Sequence, residues 1–98
     1  MESNNCLRTL LFPIGRVVLT PGARAILLQF DMIPQDLLSR HETGDFGDLC
    51  EEDKQANREA IRDGDEILSA YKLSPITKLW VVTEGDHSIT TITTPEEY

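Results

Sequence analysis

The chain has 98 residues, of which 40% are hydrophobic and 27% charged, the composition of one ordinary globular domain and not of a disordered segment. A chain of this size buries somewhat over ~60% of its unfolded surface, which allows a modest core and excludes a large enclosed substrate cavity. The net charge of −8 disfavours phosphate-driven nucleic-acid binding and anionic membrane surfaces, and makes a basic protein the natural partner.

In chain order, Leu7 to Leu19 is apolar and β-branched but broken by Pro13 and Gly15, so only Arg16-Val17-Val18-Leu19 reads as a short strand. Thr20-Pro21-Gly22-Ala23 is a helix start, with Thr20 as N-cap and Pro21 at the first helical position. Ala23, Ile26, Leu27 and Phe30 follow as one apolar stripe. Pro34 opens a second short helix that Gly44 closes. A third helix is expected from Asp48, which with Glu51 resembles a capping box, to Gly64 as C-cap. Its apolar stripe of Leu49, Ala56, Ala60 and Ile61 is thin.

The period then changes to two. Ile67 to Tyr71, Leu79 to Thr83 and Ile89 to Thr93 read as three strands. Gly85-Asp86 signals a two-residue hairpin turn with Gly first, and Leu73 to Thr77 a longer loop. The expected fold is α+β: a short N-terminal strand, three helices, then a three-stranded antiparallel meander packed against the helices. It forms one domain over residues 1–98, with a loose start at 1–8 and a polar tail at 95–98. The last strand is expected to be an open edge available to a second copy, so a homodimer is one assembly the sequence allows.

Charge is concentrated. Residues 42–66 hold ten acids (Glu42, Asp45, Asp48, Glu51, Glu52, Asp53, Glu59, Asp63, Asp65, Glu66) against Lys54, Arg58 and Arg62, a net of −7. The plain reading is a solvated helix face with i,i+4 partners that soften the repulsion. The sharper one is an anionic docking face that imitates rows of phosphates, centred on Glu42, Asp45, Asp48, Glu51, Glu52, Asp53, Glu59 and Asp63. Asp45, Asp48 and Glu51 could gather a divalent ion, but no EF-hand pattern supports them, and neither metal nor cofactor is expected.

CxxC, HExxH, GxSxG and phosphate-binding glycine loops are absent from the sequence. His41 reads as a dipole-favoured helix end and His87 as a turn-flanking surface residue. One enzymatic alternative follows from element order: helices then a meander carrying His, Ser and Thr resembles barnase-like and RelE-like ribonucleases. His41, Arg40, His87, Tyr71 and Thr91 would then be the catalytic candidates, against the electrostatic cost of bringing RNA to so acidic a chain. Tyr71 and Trp80, on neighbouring strands, are core residues or, if exposed beside the acidic helix, interface anchors. Cys6 and Cys50 are expected as reduced thiols of a cytoplasmic protein. The opening Met1-Glu2-Ser3-Asn4-Asn5 lacks an export pattern, and no apolar stretch approaches the roughly 20 residues of a membrane span.

Gly44-Asp45-Phe46-Gly47-Asp48-Leu49, Glu52-Asp53-Lys54-Gln55-Ala56-Asn57, Ile67-Leu68-Ser69-Ala70-Tyr71, Leu79-Trp80-Val81-Val82-Thr83-Glu84 and the closing Pro95-Glu96-Glu97-Tyr98 together resemble a family of small "plasmid-related" proteins. Bacterial plasmids and integrative conjugative elements carry them, sometimes under the label of a restriction-enzyme subunit. The likeness runs from about Phe12 to the end, departing at His87, where the family has Arg. It implies a bacterial mobile-element setting and no assigned activity. Small acidic proteins of such elements cover nucleic-acid-binding faces of host restriction or CRISPR complexes. An inhibitor or adaptor of that kind is the leading expectation.

Overall fold

In the computed structural model, which describes residues 9–98, Arg16–Leu19 form β1 and the chain passes straight into α1, Pro21–Gln29. Thr20 caps it as its sequence predicts, Oγ1 accepting the Ala23 N–H at 3.2 Å. Helix α2 spans Pro34–His41, and its first turn is fixed by the Asp36 carboxylate, which accepts the Ile33 N–H at 3.0 Å. Helix α3 spans Glu51–Asp63 and ends on left-handed Gly64, whose N–H reaches Ala60 O at 2.8 Å. The expected capping box at Asp48 does not form. Cys50 occupies the N-cap position without a side-chain bond, because Asp48 is drawn to the sheet: its N–H donates to Ala70 O and its carboxylate accepts the Lys72 N–H, both at 2.7 Å.

Strands β2 (Ile67–Ser74), β3 (Thr77–Thr83) and β4 (Ile89–Thr93) make the expected antiparallel meander. The sheet, however, has four strands in the order β1-β4-β3-β2, with β1 parallel to β4. The architecture is α+β with a mixed sheet. This corrects the last-strand edge: β4 lies inside, flanked by β1 and β3, and cannot accept another chain.

Both hairpin turns also differ from expectation. Ser74 pairs with Thr77 after a bulge, so the β2–β3 connection is only Pro75-Ile76. In the β3–β4 connection the His87 N–H bonds Glu84 O at 2.8 Å, and the left-handed residue is His87 (φ 61°), not Gly85. Gly85 is required there by proximity, since a Cβ would stand 2.4 Å from Gly64 O. Asp86 stabilises the turn by accepting the Ser88 N–H and hydroxyl at 3.0 and 2.7 Å, which lowers its own pKa.

Alternation sends Ile67, Ser69, Tyr71, Leu79, Val81, Thr83, Thr90 and Ile92 to one buried sheet face. Ala23 and Leu27 of α1 and Leu37 and Leu38 of α2 pack on it. A second cluster joins Phe12, Phe46, Ala60 and Ile67, and ties α3 to the sheet. Each fully buried Leu or Ile contributes roughly 1.5–3 kcal/mol.

Candidate functional site

The inward side of α3 is marked by buried Asn57 and Ala60 and half-buried Lys54 and Ile61. At 3.6 residues per turn, two exposed rows lie opposite. Glu52, Ala56, Glu59 and Asp63 form one; Glu51, Gln55, Arg58 and Arg62 form the other. The second row neutralises part of the face. Arg58 contacts Glu51 at 3.4 Å and Gln55 at 3.0 Å, Gln55 contacts Glu59 at 3.2 Å, and Arg62 contacts Asp63 at 3.3 Å. Such exposed pairs are worth well under ~1 kcal/mol each. Helix α3 itself nets only −2, from five acids and three basic residues. The acidic surface is therefore narrower than the sequence count implies: along the row of Glu52, Glu59 and Asp63 only Glu52 and Glu59 face no cation among the described residues, since Asp63 is paired with Arg62.

The acids before α3 are structural as well as exposed. Asp45 clamps Arg40 through two bonds, of 2.7 and 3.3 Å, and accepts the Gly47 N–H at 3.2 Å. The guanidinium lies 4.5 Å from the Tyr71 ring centre, and the Asp45 bond raises its pKa. Asp48 holds the β2 edge and Glu51 holds Arg58. The three proposed metal ligands thus have other partners, and no group of three or more metal-ligating side chains occurs among the described residues. Glu42 is half-buried, while Asp53 stands at an apolar hollow of about 240 Å³ lined by Leu49, Ala56 and Leu68.

The two aromatic candidates part company. Tyr71 is fully buried, donating from Oη to Asp45 O at 2.6 Å, with its pKa raised by burial; it cannot anchor a partner. Trp80 lies on the opposite sheet face, half-buried, with the Tyr98 ring edge-on at 5.5 Å. It lines a groove of about 380 Å³ with Ile26, Ile76, Lys78 and Pro95, away from the lining of the α3 hollow.

Four of the proposed ribonuclease residues meet in two pairs: Arg40 lies over the Tyr71 ring, and His41 and His87 both pack against Phe12, at 5.0 and 5.7 Å between ring centres. His41, expected at an exposed helix end, is completely buried: Nδ1 is 2.6 Å from Ser69 Oγ and Nε2 2.8 Å from Thr83 Oγ1. The chain continues from Thr83 to Thr90 Oγ1 at 2.6 Å, and Thr90 donates to Ile14 O at 2.7 Å. Each hydroxyl has one proton, so Thr90 must accept from Thr83, and Thr83 must accept from His41 Nε2–H. Nδ1 is then bare and accepts from Ser69. The imidazole is a neutral core group, its pKa lowered by burial to about 4. Thr91 alternates to the other sheet face. His87 packs against Phe12 at 5.7 Å between ring centres, with Nε2 buried and no hydrogen-bond partner for it among the described residues.

Several structural side chains escape a reading by residue type. Asn57 bonds both backbone groups of Leu68, and Glu97 ties the tail to Thr20, Gly22 and Thr94. Cys50 is a free, exposed thiol, and Cys6 lies outside the described residues. No helix among the described residues is long and apolar enough to cross a membrane. Comparison of the chain with models of known families, with curated proteins and with solved structures gives no match.

Proposed function

We propose that this chain acts without catalysis, as an inhibitor or adaptor that docks its acidic face on a basic protein. The observation that carries the reading is the row of Glu52, Glu59 and Asp63 along the exposed side of α3, flanked by Glu51 and Asp53 and followed by exposed Asp65 and Glu66. Its density argues for ordinary charge complementarity over imitation of a duplex. Glu52 to Asp63 spans about 16 Å of helix axis for three charges, against one charge per ~1.7 Å of DNA axis. The resemblance to mobile-element proteins supports a nucleic-acid-binding host defence complex, of the restriction or CRISPR kind, as that partner.

The test is capture of a stoichiometric basic partner from the bacterial host, followed by affinity measured against salt. Affinity should fall steeply with ionic strength, because exposed charges are screened within ~8–10 Å at physiological salt. The triple variant Glu52→Lys, Glu59→Lys, Asp63→Lys should abolish binding while leaving the helical circular dichroism unchanged. Binding unaffected by that reversal removes the face from consideration.

A further inference from the structure

The two edges of the sheet are treated differently. On β2 the outward backbone groups from Leu68 to the Lys72 N–H are occupied: Leu68 by the Asn57 amide, Ala70 by Phe46 O and the Asp48 N–H, and the Lys72 N–H by the Asp48 carboxylate. On β1 the bonds to β4 are made by the even residues, as Arg16 N–H to Ser88 O and Thr20 N–H to Ile92 O show. Val17 and Leu19 therefore point their N–H and C=O groups away from the sheet, and no described residue takes them. Four of the eight large apolar side chains exposed among the described residues, namely Leu10, Leu11, Val17 and Val18, lie in this one stretch of nine.

We infer that the β1 edge pairs with the β1 edge of a second copy of this chain, in an antiparallel ladder about a two-fold axis at Val18. The register follows from geometry. Hydrogen-bonded pairs must use outward residues, and Gly15 cannot contribute because its φ of 62° is not extended. That leaves Val17 opposite Leu19 of the second copy and Leu19 opposite its Val17, four hydrogen bonds in all, with Val18 opposite Val18. The contact is self-complementary and closes, which gives a dimer with one eight-stranded sheet and not a fibre.

Charge selects the same edge. Each copy carries −8, yet the sequence from Ser3 to Phe30 contains no carboxylate, so at this edge two acidic chains meet with few acids facing each other. The register also sets Arg16 of the second copy opposite Thr20, on the sheet face where the Thr20 hydroxyl bonds Glu97 at 2.7 Å. Arg16 and Glu97 then form an ion pair across the interface, twice by symmetry. The short strand, bounded by Pro13 and Pro21, makes the interface small and the dimer weak.

Sedimentation equilibrium of the whole chain from about 10 µM to about 1 mM, the range proper to so small an interface, tests this. The mass should rise with concentration toward twice 11.0 kDa. Val17→Pro deletes an outward donor that the monomer does not use, and Arg16→Glu sets acid against Glu97; each should weaken the dimer at least ~10-fold with an unchanged monomer melting temperature. If Val17→Pro unfolds the chain, Arg16→Glu carries the test. A mixed labelled sample should show contacts between Val18 methyls of different copies. A single-chain mass throughout, a dimer indifferent to both substitutions, or a monomer that uses β1 to bind a different protein would each overturn the inference.

Discussion

Asn57 Nδ2 donates to the Leu68 carbonyl at 2.7 Å while Asn57 Oδ1 accepts the Leu68 N–H at 3.1 Å, so one side chain from α3 occupies both outward groups of an edge-strand residue. No other residue type of that size supplies a donor and an acceptor in one plane. Asn57→Ala leaves both groups to water in a half-covered site and should cost about 2 kcal/mol. Asn57→Asp should cost no less, because a carboxylate oxygen then faces the carbonyl. Urea unfolding checks both: the midpoint falls and the slope stays constant, and an unmoved midpoint shows that water replaces the amide.

Two left-handed glycines share a φ of 78° and differ in surroundings. A Cβ on Gly47 would stand 2.0 Å from Ala70 O, whereas one on Gly64 meets nothing within 4 Å. Gly64→Ala therefore carries only the backbone penalty of about 1 kcal/mol. Gly47→Ala must also push the 46–48 segment off β2, and should cost more than about 3 kcal/mol. Thermal melts of the pair separate the terms; equal losses would mean that the bridge between Gly47 and Ala70 contributes nothing.

What was legible in the sequence is what short-range chemistry decides. Thr20-Pro21 starts a helix wherever it lies, Gly64 ends one, and the alternation of Leu79, Val81 and Thr83 exposes a strand to inspection. The parallel pairing of β1 with β4 was not legible, because it joins residues more than 70 positions apart and leaves no local mark. Asp48 had the pattern of a cap and lost that role to the β2 edge, a competitor visible only in three dimensions. His41 did carry a signal. It follows Leu37 by four and Leu38 by three, on the buried stripe of α2, but its polarity suggested a helix end in water. For the site, the acid count was readable and its dilution was not. Arg58 and Arg62 fall on the exposed side only once the inward direction of α3 is known.

Glu97 accepts from the Thr20 hydroxyl at 2.7 Å, the Gly22 N–H at 3.0 Å and the Thr94 hydroxyl at 2.9 Å, and these bonds lower its pKa. They hold the tail so that Tyr98 lies against Trp80 and bonds Glu66 at 2.9 Å. Glu97→Ala should release the tail, with Trp80 fluorescence shifting to the red as water replaces the Tyr98 ring. The same shift should appear in the wild type on acidification, below the ordinary carboxylate range, because protonated Glu97 loses its charge-assisted bonds. An unshifted Glu97→Ala spectrum would show that Tyr98 stays in place without it.

The His41 network sets the acid limit of the fold. The unfolded histidine titrates near 6.5 and the folded one, penalised by burial, at about 4. Between those values the unfolded chain binds the extra proton, so stability must fall as pH drops from about 6.5 to about 4 and level off below, as far as this group is concerned. The gap corresponds to about 3 kcal/mol, a large share of a small domain's stability. His41→Gln keeps one donor and one acceptor without the titration. It should lower stability at pH 7 by about 1–3 kcal/mol through poorer fit to Ser69 and Thr83, and flatten the profile between pH 4 and 6.5. Denaturation midpoints of both proteins across that window decide it. Parallel profiles would assign the acid sensitivity to the carboxylates, Glu97 and Asp86 among them, whose lowered pKa values act in the same direction but at lower pH.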